Sequence, residues 1–354
     1  MGTFLPARLK KAREQMGLTQ EAFARSLSVS SEFISLLEAG KRAPSLETLS
    51  RIAASVHRDP SFFLSEKEPA FTVLFRAASL DNQARAELDY FQRYVEDYLR
   101  LEEATGRRLE EAPLCTGHLS PERLATEERR RLGLGDEPIR DIFVLFERNG
   151  LRILRRVMPP EVQISGVFVH LEAQAASFAL INASQTPCRQ VFTAAHEYCH
   201  YLKHRHDGPL IHHQGIFYGE LQTGVRRQKL AAKEQFAQKF AACFLMPPDK
   251  VRDGVAKESG SRRLSYDDVL LAKRYFGVSA QAMLRTLRDL NLLSATQFAN
   301  FAALDPVSRE HEVFGASEQE CGPAGAIKTS SAVIVSDRYR LLEQEVKTRD
   351  EGKT

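Results

Sequence analysis

Between positions 6 and 65 apolar residues recur at helical spacing in short blocks, interrupted by polar punctuation at Gly17, Ser28 to Ser31 and Gly40 to Pro44. This predicts an all-helical segment of several short helices. Residues 82–104 carry one long amphipathic pattern whose stripe runs Leu88, Phe91, Tyr94, Val95, Tyr98 and Leu99, as expected of a connecting helix packed on a neighbour. An aromatic stripe of this kind fits a core face or, alternatively, a partner-binding face. From about residue 113 the texture changes. A helix near Glu137 to Asn149 leads through Gly150 into LRILRRV, and two runs rich in β-formers follow, ISGVFVHL and ASFALINA, which predict a small sheet. The stretch HDGPLIHHQGIFYGELQTG reads as a polar loop. A helix from Lys229 to Met246 is stopped by Pro247 and Pro248, and a last helical region spans Tyr266 to Leu293. Beyond about 305 the periodicity fades, which predicts a partly disordered tail. The expected organisation is therefore 1–66, a connecting helix within 67–112, a mixed α/β domain at 113–305, and a tail at 306–354.

Composition narrows the function classes. The chain has 354 residues, 43% of them apolar, enough for two or three cores. Net charge is only +3, so affinity for nucleic acid has to come from a local patch. Residues up to Lys67 hold three more basic than acidic side chains, which is weak support for such a patch. The five cysteines are odd in number and include no C-x-x-C pair, arguing against a disulfide framework or a cysteine zinc ribbon and for a reducing cytoplasm. No run of about 18 apolar residues appears, so no membrane association is expected.

Two stretches carry chemistry. In GLTQEAFARSLSVSSEFISLLEAGKRAPSLETL, Thr19 can cap one helix and Ser30 a second after a tight turn at Val29. Ala24 is small where the helices would cross, and Ile34 and Leu37 would be buried. Ser31, Glu32 and Ser35 then project from the first turns of the second helix as candidate base readers beside Ser30. Gln20, Lys41 and Arg42 are placed to reach phosphates. The alternative is a plain helical bundle for protein contacts. The stretch LKKAREQMGLTQEAFARSLSVSSEFISLLEAGKRAPSLETLSRIA resembles the Xre-type helix-turn-helix family, related in fold to the phage lambda repressor. The resemblance implies a five-helix domain that binds a double-stranded DNA operator, usually as a homodimer.

The second stretch, FTAAHEYCHYLKHRH, puts four of the chain's ten histidines in one segment. His196 and His200 are four apart, so on a helix their rings share one face and can converge on one metal. Glu197 lies about 100° round, beside that metal. This is the layout of a metal-water protease. His204 lies about 12 Å further along a continuous helix than His196, too far to share the ion. Glu234, amid the apolar stripe Phe236, Ala237, Phe240, Ala241 and Phe244, is a candidate third ligand; the alternative is a solvated first-turn acid. Tyr198, His204, His206, His212, His213 and Tyr218 are candidate oxyanion donors, and ASFALINAS is a candidate strand edge for an extended substrate. Two imidazoles and a carboxylate suit zinc, and manganese or iron as well.

The segments FTAAHEYCHYLKH, EQFAQKFAACFLMP and YFGVSAQAMLRTL resemble the ImmA/IrrE family of metallopeptidases. That resemblance implies a zincin-like α+β domain after the all-helical, lambda-repressor-like one, with zinc on His196, His200 and Glu234 and catalysis by Glu197. It also implies a regulatory endopeptidase that cleaves an Xre-type repressor, or itself, in a stress or mobile-element response. Cys199 stands where the family usually has Gly, Gln238 replaces a frequent Asn and Thr286 a frequent Arg, which puts the surroundings of the site in doubt. Two other readings stay open. One is a non-proteolytic transcription factor whose peptidase-like domain senses a metal, peptide or redox signal; the other is an antitoxin-like repressor that uses this domain as a scaffold.

Overall fold

The computed structural model describes residues 6–16, 18–56, 60–64, 82–207, 210–213, 225–259, 263–315 and 333–351. The chain divides into two compact units, Met1–Thr72 and Val73–Thr354, so the helix expected as a connector belongs to the second unit.

The first unit is all-helical: α1 (Pro6–Gln15), α2 (Gln20–Ser26), α3 (Ser31–Glu38), α4 (Leu46–Ser55) and a closing 3-10 turn at Pro60–Phe63. Hydroxyl caps set the helix starts. Thr19 accepts from the Ala22 amide at 3.1 Å, Ser30 from Phe33 at 3.1 Å and Ser45 from Thr48 at 3.2 Å; a cap of this kind contributes about 1 kcal/mol. Leu9, Phe23, Ala24, Ile34, Leu37, Ile52 and Phe63 make the core. Ser28 adopts φ 53° in the turn between α2 and α3, the left-handed corner that lets two short helices meet so closely.

The second unit is built on a five-stranded sheet. Its helices and strands run α5 (Asn82–Thr105), α6 (Pro121–Arg131), α7 (Ile142–Arg148), β1 (Leu151–Arg156), β2 (Ile164–Leu171), β3 (Ala176–Asn182), α8 (Pro187–Lys203), β4 (Leu210–His213), α9 (Val225–Leu245), α10 (Pro248–Ser259), α11 (Tyr266–Phe276), α12 (Ala280–Asp289), α13 (Ala295–Ala302), α14 (Pro306–Phe314), β5 (Val333–Ile334) and α15 (Asp337–Glu351). Strand order is β4-β2-β3-β1-β5. β1 and β3 are parallel, while β2 runs antiparallel to β3 and β4, and β5 antiparallel to β1. Side chains alternate across the pleat: Ile153, Phe168, Ala179 and Ile181 join the core that α8 and α9 share, and Arg152 and Phe178 face α5.

Three expectations change here. ASFALINAS presents no strand edge. β3 is hydrogen-bonded on both sides and buried along its length, which is what apolar residues at every position, rather than alternate ones, mean for a strand. The expected loop after the histidines contains β4, the outermost strand beside β2. The expected tail contributes α14, β5 and α15: Lys273 Nζ donates to Glu310 Oε2 at 2.7 Å in full burial, Tyr339 stacks on Tyr94 with centroids 5.2 Å apart, and Arg349 donates to the Ala104 carbonyl at 2.8 Å. The aromatic stripe of α5 is thus covered by the sheet and by α15 of the same chain. Among the described residues no helix is long and apolar enough to cross a membrane.

Candidate functional sites

α8 begins with Pro187 in its first turn, where a missing N–H costs nothing, and is buried almost from end to end because it lies between the sheet and α9. His196, Glu197 and His200 are each 1% exposed and Glu234 on α9 is 6% exposed. Alanines at 237 and 241, both fully buried, let α9 come close enough for Glu234 to reach α8. His196 Nε2 lies 2.9 Å from Glu234 Oε2 and 3.0 Å from His200 Nε2, and His200 Nε2 lies 3.5 Å from Glu234 Oε1. Donors about 2.0–2.1 Å from a tetrahedral zinc stand about 3.3–3.4 Å apart. Two imidazole nitrogens and a carboxylate, converging at separations that bracket this spacing in a buried interior, fit a divalent cation.

Glu197 is placed beside this triangle. Burial, and then the nearby Glu234, push its carboxyl well above the usual carboxylate range, and Oε1 has no hydrogen-bond partner among the described residues. The carboxylate lies over the backbone of β2 at Gly166. A Cβ built there would stand 2.4 Å from Glu197 Oε1 and 2.7 Å from Thr193 Cγ2. Only glycine leaves that space, and an irregularity in the β2–β4 register falls between Ile164 and Gly166. The sequence reading missed Gly166, although a glycine inside the β-forming run ISGVFVHL marks close approach of another group. Gly166→Ala is expected to displace Glu197 while leaving His196, His200 and Glu234 in place, so that any activity falls far more than metal content does. Metal content and turnover measured on the same preparation check this, and parallel loss of both would refute it.

Of the candidate oxyanion donors, Tyr198, His204 and His206 do not gather here, and the side chains of His212 and His213 lie outside the described residues. Tyr198, two residues beyond His196, is turned toward α6 and α7 and not toward Glu234. Its hydroxyl donates to Glu128 Oε1 at 2.5 Å and its ring stacks on Phe146 with centroids 3.8 Å apart. His204 caps α8 and places Nδ1 3.1 Å from His200 Nδ1, behind the ring whose Nε2 faces Glu234. Burial, and then His200, push its pKa down to about 3, so it stands as a neutral partner that orients His200. His206 pairs with Glu172 on the surface at 2.6 Å. Tyr218 lies outside the described residues. Cys199 is buried, and burial raises its thiol well above the ordinary value, as for an inert packing residue.

In the first unit Ser31, Glu32 and Ser35 are exposed on α3, as are Lys41 and Arg42 after it. Ser30 is engaged as the cap of α3. Gln20 donates to Glu38 Oε2 at 2.8 Å, beside the Arg13–Glu38 pair at 2.6 Å, so its amide is held within the unit. The Arg42 guanidinium lies over the Phe33 ring, 4.9 Å from the centroid.

Residues 9–63 match the family model described as Helix-turn-helix, and residues 150–288 match the model described as IrrE N-terminal-like domain. The chain joins a DNA-binding helix-turn-helix domain to a peptidase-like domain of the IrrE type. The two expected architectures, all-helical and then α+β, are both present in that order. The comparison with curated proteins found no match. Among solved structures, Bacillus thuringiensis PlcR in complex with the peptide PapR7 and DNA aligns at 12% identity over 98% of this chain and 97% of that one, with TM-score 0.17. ComR from Streptococcus suis aligns at 10% identity over 98% and 94%, with TM-score 0.16. Scores this low carry no argument about shared fold or ligand.

Proposed function

We propose that the IrrE-type domain is a zinc-dependent endopeptidase and that the helix-turn-helix domain brings it to a DNA operator, with an Xre-type repressor or this chain itself as substrate. The observation that carries this reading is the triangle of His196, His200 and Glu234 with a buried Glu197 beside it. A metal held by His196, His200 and Glu234 would supply a water of lowered pKa and polarise the peptide carbonyl; zinc would suit the donor set, as would manganese and iron. Glu197 accepts the proton of the attacking water and returns it to the leaving amine. Gly166 gives the carboxylate its place, and His204 holds the His200 ring so that Nε2 faces Glu234. On the DNA side, Ser31, Glu32 and Ser35 read bases while Lys41 and Arg42 meet phosphates, in a homodimer on a two-fold site.

A second reading, a metal or peptide sensor that cuts nothing, is favoured by the depth of the site, with all four of its side chains at 6% exposure or less. The two readings separate on cleavage. New N-termini in a partner repressor or in this chain should appear with the wild type and vanish with Glu197→Gln; identical termini in both would remove the peptidase reading.

A further inference from the structure

Where α8 ends, a second group of metal-ligating side chains comes together outside the site described above. His170 lies near the end of β2, Glu172 in the 3-10 turn Glu172–Gln174 that follows it, and His206 in the 3-10 turn Arg205–Asp207 after α8. One ligand atom from each lies within 4.8 Å of the other two.

A surface histidine paired with a carboxylate needs no metal, and the His206–Glu172 contact at 2.6 Å, with side chains 49% and 69% exposed, would alone be an ordinary surface pair. His170 changes this. Its side chain is 3% exposed, and its Nδ1 lies 2.9 Å from Ser177 Oγ. That hydroxyl spends its only proton on Glu111 Oε1, at 2.5 Å, so it accepts from His170 Nδ1–H. The carboxylate of Glu111 is itself held by Arg205 Nη1 at 3.3 Å. This relay fixes the tautomer with the lone pair on Nε2, as a carboxylate behind a metal-bound imidazole does. The rings of His170 and His206 are 5.0 Å apart at 87°, nearly the disposition of His196 and His200, 4.8 Å apart at 70°.

We propose that His170, Glu172 and His206 form a second binding site for a divalent transition-metal ion of the zinc class, which ties the turn after α8 to the end of β2. Two imidazoles and one carboxylate select zinc, cobalt or nickel over calcium or magnesium. Drawing the ligand atoms from a 4.8 Å spread to the spacing of a tetrahedral shell moves mainly the exposed Glu172 and His206 side chains, while the buried His170 stays oriented. Partial exposure leaves water in the remaining positions, so this ion exchanges faster and is stripped by a weaker chelator than the one at His196.

The test is cobalt(II) titration of the full chain without a His tag, followed by visible absorption and by stoichiometry after gel filtration. The wild type should bind two equivalents, His206→Ala and Glu172→Gln one each, His196→Ala one, and the His196→Ala/His206→Ala double variant none. Metal-free wild type and His206→Ala should melt within a few degrees of each other, because the His206 side chain is half exposed and touches the interior only through the edge of the His170 ring, so a lost equivalent reports the ligand and not the fold. Wild-type stoichiometry in His206→Ala would overturn the second site and leave a surface ion pair; so would a wild type that binds one equivalent and loses it in His196→Ala. A His196→Ala variant that binds as much as wild type would instead count against the first site, so the two failures are distinguishable.

Discussion

Glu197→Gln is expected to slow peptide cleavage by about 10²–10⁴-fold, the usual contribution of a positioned general acid–base, while binding as much metal as the wild type. Glutamine keeps the shape of the side chain and can fill the space over Gly166, but it can neither take a proton from water nor return one to an amine. Glu197 is not among the three groups whose atoms converge, so metal content should not change. The variant thus separates chemistry from assembly. Turnover on a repressor substrate, with metal measured in the same sample, checks it. A variant that cleaves at close to the wild-type rate would remove Glu197 from the mechanism. One that lacks cleavage and regulates transcription normally would favour the sensor.

The largest loss of stability is expected at a buried ion pair that belongs to neither site. Arg152 on β1 is 1% exposed and Glu102 on α5 is fully buried. Their contacts run at 2.7, 2.9 and 3.1 Å in a forked arrangement, and Glu102 also accepts from the Leu109 amide at 3.3 Å. Glu102→Ala leaves a buried guanidinium without its counter-charge, which costs about 3–5 kcal/mol. The double variant Glu102→Leu/Arg152→Met should regain most of that, because a buried pair adds little over a well-packed apolar replacement. Denaturant unfolding of the two variants checks this. A loss below about 1 kcal/mol in Glu102→Ala, the range of a surface pair, would mean that water reaches the guanidinium.

How much the sequence reveals depends on how local each feature is. His196, Glu197 and His200 lie within one turn and a residue of α8, so their side-chain directions follow from helix geometry alone. Glu234 was a candidate because a carboxylate inside an apolar stripe needs a compensating partner, and the alternative of a solvated first-turn acid stayed open until α9, which begins at Val225, was seen to bury it. Gly166 was not a candidate, because its role is set by a carboxylate thirty-one positions downstream, and no periodicity records such an approach. Tyr198 illustrates the converse: two positions beyond His196 along a helix is about 200° of rotation, which turns its ring to Phe146 and its hydroxyl to Glu128. α15 escaped notice because it is held by Tyr339 stacking and by arginine contacts to carbonyls, with Leu342 its one core side chain among the described residues. The pairing of Arg152 with Glu102 joins a strand to a helix fifty residues away, and neither local pattern points to the other.

The most direct test of the central claim is elemental analysis of metal in protein purified without a His tag, wild type beside His196→Ala and Glu234→Gln. The account predicts that each substitution removes one equivalent of zinc that the wild type holds. Wild-type metal content unchanged in both variants, or no metal at these residues after zinc addition and dialysis, would contradict it and leave a DNA-binding protein with a peptidase fold that has lost its chemistry.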